Sequence, residues 1–194
     1  AQAAQKRGQG EARRRVGVYR AFGEETLGSP VVTGRKSTSE RFAGAVETYT
    51  IEAMMQNGWA LQSGTSHFLG QNFAKAFDVT FQGEDGAVEH VWATSWGMST
   101  RLIGAVIMTH SDDNGLVLPP KVAPVQVAVV PLWRKDGEKE TVLPFAEKIA
   151  ADLKAAGVRV ALDTRERMKP GAKYYDWERK GVPLRLEVGP RDVA

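Results

Sequence analysis

The sequence predicts two joined folds, an α+β unit built on antiparallel strands and then an α/β unit with parallel pairing. Three observations point there. Residues 78–82 and 88–96 have strand character on either side of a Gly83–Gly86 turn, which predicts an antiparallel hairpin. The run PPKVAP at 119–124 puts three prolines where neither helix nor sheet tolerates them, and marks a domain boundary. Beyond it the chain reads strand, helix, strand, helix, strand, the pattern of a layered unit with parallel pairing.

In order along the chain, residues 1–10 read as a loose polar tail. A helix is expected from Glu11 to about Phe22, with Arg13, Arg14 and Arg15 as a solvated face or a phosphate-binding cluster. GSPVVTGRKST at 28–38 suggests a short strand between loops. Residues 40–58 suggest partial helix, because Phe42, Ala45 and Val46 share a face and Ile51, Met54 and Met55 continue the spacing. Trp59–Gln62 could open a strand. Residues 67–77 return to helical spacing through Phe68, Asn72, Phe73 and Ala76. At 92–110, WATSWGMSTRLIGAVIMTH reads as a strand-to-helix junction, with Ser99 or Thr100 as N-cap and Leu102, Ile103, Val106 and Ile107 as an apolar stripe. Past the prolines, strands are expected at 125–133, 158–162 and 182–189, and helices at 141–156 and 173–180. In the last strand Val182, Leu184, Leu186 and Val188 face one way, Arg185 and Glu187 the other.

Composition narrows the function classes. Of 194 residues, 42% are hydrophobic, enough for a real core. No run approaches the roughly 20 apolar residues of a membrane helix, and the charged start has no apolar stretch behind it. With no cysteine there is no disulfide and no thiolate metal site, which suits a reducing, cytoplasmic setting. The net charge of +3 is uneven: residues 1–120 carry 11 basic and 12 acidic side chains, residues 121–194 carry 15 and 11. The C-terminal excess is either a soluble surface or a face for a polyanion such as nucleic acid.

Some residues invite chemistry. In QSGTSHFLGQNF at 62–73, one of only three histidines, His67, sits among small residues, hydroxyls and aromatics, the makings of a lined pocket or of a satisfied core. Arg101 falls in a first helical turn, where a cation opposes the helix dipole. A negatively charged ligand would remove that objection; a surface arginine is the plainer reading. His110, Asp112 and Asp113 precede Asn114–Gly115 and read as a solvated turn, so no metal site is assigned.

The strings FAGAVETYTIEAMMQNG at 42–58, LQSGTSHFLGQNFAKAFDVTF at 61–81, SWGMSTRLIGAVIMTHSDDNGLVLPPKVAPVQVAVVP at 95–131 and YYDWERKGVPLRLEVGPRD at 174–192 strongly resemble prolyl-tRNA synthetase, from about Val31 to Asp192. The third looks like that family's motif 3 and the linker beyond it. The resemblance implies the fold class: part of a class II synthetase catalytic core with an antiparallel sheet, residues 1–120, then part of an α/β anticodon-binding domain, residues 121–194. It implies a proline–tRNA ligase reaction, in which proline is activated by ATP to prolyl-adenylate and passed to tRNA(Pro), with Mg²⁺ accompanying ATP. The full-length family enzyme is a homodimer.

The resemblance also implies site residues. Arg101 becomes the catalytic, nucleotide-stacking arginine, and Gln62, Thr65 and Ser99 meet ATP beside it. Phe42, His67, Ser95 and Trp96 line the proline slot, with Gly64 and Gly70 admitting backbone and Ser66 offering a hydroxyl. Glu52 or Gln62 could touch the magnesium. Glu178, Arg185, Arg191 and Asp192 match anticodon-reading positions, and Lys173 and Lys180 could hold phosphate. Some family members carry an editing insertion, for which the spacing between Phe42 and motif 3 leaves no room. Motifs 1 and 2 are not found, so the chain reads as a central fragment. The alternative is a non-catalytic tRNA-binding module or regulatory paralogue.

Overall fold

A computed structural model describes residues 2–193, which form two compact units divided between Thr109 and His110. In the first, helix α1 (Gln2–Ala21) runs into a π-helical turn (Phe22–Thr26). Strands β1 (Val31–Arg35), β2 (Glu47–Met54) and β3 (Ala60–Gly70) follow, then a short helix α2 (Asn72–Ala76). The hairpin β4 (Thr80–Gln82) and β5 (Val88–His90) stands apart from the main sheet, which β6 (Ala93–Gly97) completes in the order β1-β2-β3-β6, antiparallel throughout. Helix α3 (Arg101–His110) follows β6.

Alternation divides this sheet into two faces. Tyr49 and Ile51 of β2 and Phe68 of β3 point to α1 and form a core with Ala12, Val16 and Tyr19. Thr48, Thr50 and Glu52 therefore point the other way. Between Ile51↔Gly64 and Glu52↔Gln62 the register skips Ser63, a bulge that shifts the alternation of β3 by one residue.

Three expectations need correction. Residues 2–10 are not a loose tail but the first half of α1. The helix reaches the sheet there through Gly8, where a Cβ would lie 2.7 Å from the Phe68 ring; composition alone could not reveal a contact made by an absent side chain. Residues 47–54 are strand, not helix. The apolar spacing of Ile51, Met54 and Met55 fits a helix, but alternating Thr48, Tyr49, Thr50 and Ile51 suit a pleated strand hydrogen-bonded on both sides. The helical spacing at 67–77 spans two elements. β3 ends at Gly70, whose φ of +61° turns the chain where a Cβ would meet Val46 at 2.7 Å, and only then does α2 begin.

The second unit follows the expected order. Strand β7 (Val127–Pro131) leads to α4 (Asp136–Ala155), β8 (Val160–Leu162), α5 (Pro170–Arg179), β9 (Leu184–Val188) and a final turn of helix, α6 (Pro190–Val193). The sheet is parallel in the order β8-β7-β9. β7 is its middle strand and is buried along its whole length. Val127, Val129 and Val188 pack on Val142, Ala146 and Ala150 of α4. The proline run is held by Arg159, whose guanidinium donates to the carbonyls of Pro120, Lys121 and Ala123 at 2.9–3.0 Å.

Behind β8 lies a buried charge cluster. Asp163, 2% exposed, accepts from the Arg165 guanidinium at 2.6 and 2.8 Å and from the Trp177 indole at 2.9 Å. Lys173, 4% exposed, donates to the Asp163 carbonyl and lies 3.8 Å from its carboxylate. Burial pushes the Asp163 carboxyl upward, but these donors outweigh it and hold it at about 2. Truncating one partner strands the other's charge in the interior, at a cost of about 3–5 kcal/mol. Asp163→Ala should lower unfolding free energy by that amount in urea titrations. Because the native carboxyl titrates below its ordinary 3.8, its stabilisation is complete above that value and fades as pH falls toward about 2.

Candidate functional site

The face of the antiparallel sheet away from α1 carries most of the candidate residues. Thr48, Thr50 and Glu52 of β2 lie across from His67, Thr65 and Gln62 of β3, and His67 and Thr65 lie across from Ser95 and Gly97 of β6. The bulge at Ser63 is what puts Gln62 on this face together with Thr65 and His67. A hollow of about 370 Å³ opens here, lined by Gln62, Thr65, His67, Ser95, Ser99 and Arg101 among others.

Arg101 begins α3 at the end of the hollow. Its backbone N–H donates to Ser99 Oγ at 3.3 Å, and its guanidinium donates to the Gln62 carbonyl at 3.2 Å. A serine turn thus starts the helix, and the side chain is laid back across the end of β3. Lys36 donates to Gln62 Oε1 at 2.5 Å, so two cations converge on one residue. Such a place suits an anionic ligand.

His67 has a defined partner. Its Nδ1 is 3.0 Å from Thr48 Oγ1, which also accepts the Phe42 backbone N–H at 3.2 Å. The Phe42 ring, 49% exposed, stands 4.9 Å from the imidazole, with Phe73 stacked 6.2 Å behind it. An apolar wall and one imidazole thus meet beside the hollow. Burial, then the nearby Lys36 charge, lowers the His67 pKa from its ordinary 6.5.

Some expected contacts fall elsewhere. Trp96 edges the hollow, but its register partner is Ser66, and the Arg15 guanidinium stacks over its indole at 4.6 Å. The indole is therefore held from the α1 side while lining the same hollow as His67. Ser66 points to the α1 side, fully buried. At Gly64 an added Cβ would meet Tyr19, Ile51 and Met98 at 3.2–3.3 Å, so this glycine serves the packing side of the sheet. Reading β2 as helix hid Thr48 and Thr50; a period of two applied to 47–54 would have found both.

For magnesium, the chemistry of the donors is the available test. Glu52 is a carboxylate in the Gln62 row, and Mg²⁺ typically takes one or two protein carboxylates plus substrate phosphates. The residues fit an ion that arrives on a nucleotide. Among the described residues no group of three or more metal-type side chains occurs. At 112–115, the Asp112 carboxylate accepts from the N–H groups of Asn114 and Gly115, a turn as expected.

In the second unit, Glu178 of α5 and Arg185 of β9 do come together. Arg185 donates to Glu178 at 2.8 Å and to Glu187 at 3.0 Å, and lies 4.1 Å over the Tyr174 ring. Arg191 is exposed at the start of α6, and Asp192 accepts the Gly189 N–H at 2.7 Å. Lys173 cannot serve as a surface phosphate ligand, because it is buried against Asp163. Lys180 is committed to Asp176 and to the Trp177 face. Among the described residues no helix is long and apolar enough to cross a membrane.

A family model described as "Anticodon binding domain" matches residues 126–194. The chain is 57% identical over 176 residues to a "Proline--tRNA ligase" of Christiangramia forsetii, spanning 91% of this chain and 36% of that protein. It is 60% identical over 183 residues to the Porphyromonas gingivalis protein of the same name, spanning 94% and 37%. The prolyl-tRNA synthetase of Cryptosporidium parvum, solved with L-proline and AMP, superposes with a TM-score of 0.91 at 47% identity, over 97% of this chain and 41% of that one. The chain thus spans well under half the length of these relatives.

The low His67 pKa has a measurable consequence. Below about pH 6.5 the unfolded chain binds the proton first, so this contribution to stability is present above that pH and declines as pH falls. Urea midpoints taken between about pH 7.5 and pH 5 should fall with acidity, and His67→Gln should flatten that fall. An unchanged slope would place the depressed titration elsewhere.

Proposed function

Because the chain is a segment of the prolyl-tRNA synthetase family, we propose that it forms part of a cytoplasmic proline–tRNA ligase, homodimeric at full length. That enzyme activates proline with ATP and transfers it to tRNA(Pro). In this reading residues 1–120 are the later part of the class II catalytic domain, including motif 3, and residues 121–194 the earlier part of the anticodon-binding domain. The observation that carries it is the open sheet face, where Arg101, Gln62, Thr65 and His67 line one hollow with Phe42 beside the imidazole. The solved relative holding L-proline and AMP supports the same assignment.

The reaction needs position and charge more than a side-chain nucleophile. A carboxylate oxygen of proline attacks the α-phosphorus of ATP, and pyrophosphate leaves; a ribose hydroxyl of tRNA then attacks the prolyl carbonyl, and AMP leaves. Arg101 places a planar, permanent cation where nucleotide charge accumulates, which lysine could not do in the same plane. Ser99 and Thr65 offer hydroxyls to the nucleotide, and Gln62 ties Lys36 and Arg101 to one edge. Phe42 walls the pyrrolidine ring, with His67 and Ser95 completing the slot. Glu52 would hold magnesium, which neutralises phosphate charge when bound. In the second unit Glu178, Arg185, Arg191 and Asp192 read anticodon bases: carboxylates accept guanine N–H groups, and guanidinium forks onto O6 and N7.

In a full-length enzyme carrying this segment, Arg101→Ala should cut ATP–pyrophosphate exchange by about 10²–10³-fold, the scale for one lost charge-stabilising donor. A near-normal rate removes Arg101 from the site. Intact tRNA binding with a steep salt dependence, and no exchange in the unsubstituted protein, would instead indicate a non-catalytic tRNA-binding module. His67→Ala should raise the KM for proline more than that for ATP; equal effects would make the imidazole structural.

A further inference from the structure

We propose that Thr48 is a positioning residue whose hydroxyl holds His67 as the Nε2–H tautomer, so that the imidazole offers the site a donor and not a lone pair. Thr48 is 1% exposed. Its Oγ1 has two neighbours among the described residues, the Phe42 backbone N–H at 3.2 Å and His67 Nδ1 at 3.0 Å. A hydroxyl has one hydrogen and two lone pairs. The Phe42 N–H can only donate, so it takes one lone pair.

Two arrangements remain for the histidine contact. If Nδ1 carried the proton, it would take the second lone pair, and the threonine hydrogen would be left buried with no acceptor. If Nδ1 is bare, the threonine hydrogen donates to it and every group is satisfied. Leaving a buried donor unmade is the costly alternative, enough to favour the second arrangement by about tenfold or more. The proton of neutral His67 then resides on Nε2, which has no partner among the described residues.

The same hydroxyl fixes the Phe42 backbone, so one oxygen sets both the ring and the imidazole 4.9 Å from it. The consequence for recognition rests on the proline-site reading above. An Nε2–H can donate to a carboxyl oxygen of an imino acid and cannot accept from its ammonium group. His67 therefore selects for the acyl end of the ligand, and the amine must be met by other groups.

Long-range ¹H–¹⁵N correlation spectra of the chain, labelled at its three histidines, read the tautomer directly. His67 is assigned by the resonances lost in His67→Gln. We expect an Nε2–H pattern in the unsubstituted chain, retained in Thr48→Ser and reduced about tenfold toward a mixture in Thr48→Val, which keeps the shape and removes the hydroxyl. An Nδ1–H pattern in the unsubstituted chain overturns the proposal with no variant needed, and so does an unaltered tautomer in a folded Thr48→Val. In a full-length enzyme, Thr48→Val should raise the KM for proline above its effect on ATP, with recovery in Thr48→Ser. A shifted tautomer with unchanged proline KM overturns the recognition role alone, whereas failure of the Arg101 exchange test overturns the synthetase reading independently.

Discussion

The first unit depends on alternation along two paired strands, interrupted at Ser63. Helix α1 covers one face of the sheet and packs on Tyr49 and Ile51 of β2 and Phe68 of β3. The intervening positions are turned away from α1 and carry threonines, glutamate, glutamine and histidine, of which Thr48 and Thr50 are themselves buried. Hydrophobic burial on one side thus sets the geometry of polar groups on the other, because a strand cannot rotate one side chain without moving its neighbours. Arg101, although it belongs to a helix, is tied into this frame through the Gln62 carbonyl.

The second unit solves a different problem. Beside its three-stranded parallel sheet, the segment after β8 must enter α5 in a fixed direction. Asp163 acts as the hub for that entry, collecting Arg165, Trp177 and Lys173. On the far edge, Arg185 lies between two carboxylates and a tyrosine ring. These contacts hold the guanidinium in one plane, so its ordering cost is already met within the unit.

Legibility in the sequence differed between the units for a physical reason. The α/β half was readable because long amphipathic helices and short apolar strands have distinct periods, and the proline run separated them cleanly. The strand-to-helix junction before Arg101 was readable from Gly97, Ser99 and the apolar stripe. β2 was not, since its few large apolar residues fall at positions compatible with both periods, and its true signal lay in the threonines. The start of α1 was hidden because its contact with Phe68 is made by a missing side chain at Gly8. Resemblance to a family picked out Gln62, Thr65, His67, Ser95, Trp96, Ser99 and Arg101, which line one hollow, but not the face on which each side chain lies. Ser66 shows the limit: it is a sequence neighbour of His67, and pleating sends it, fully buried, to the opposite side.

The skipped residue at Ser63 has an implication for how this strand tolerates change in length. Loss of Ser63 would leave a regular ladder with Gln62, Thr65 and His67 still oriented as they are, since the extra residue is the one that pairs with nothing. Loss of one residue between Thr65 and His67 would invert everything beyond it and expose Phe68 to solvent. Insertions and deletions should therefore cluster at skipped residues if the segment drifts, at position 63 opposite β2 and at Leu69 opposite β6.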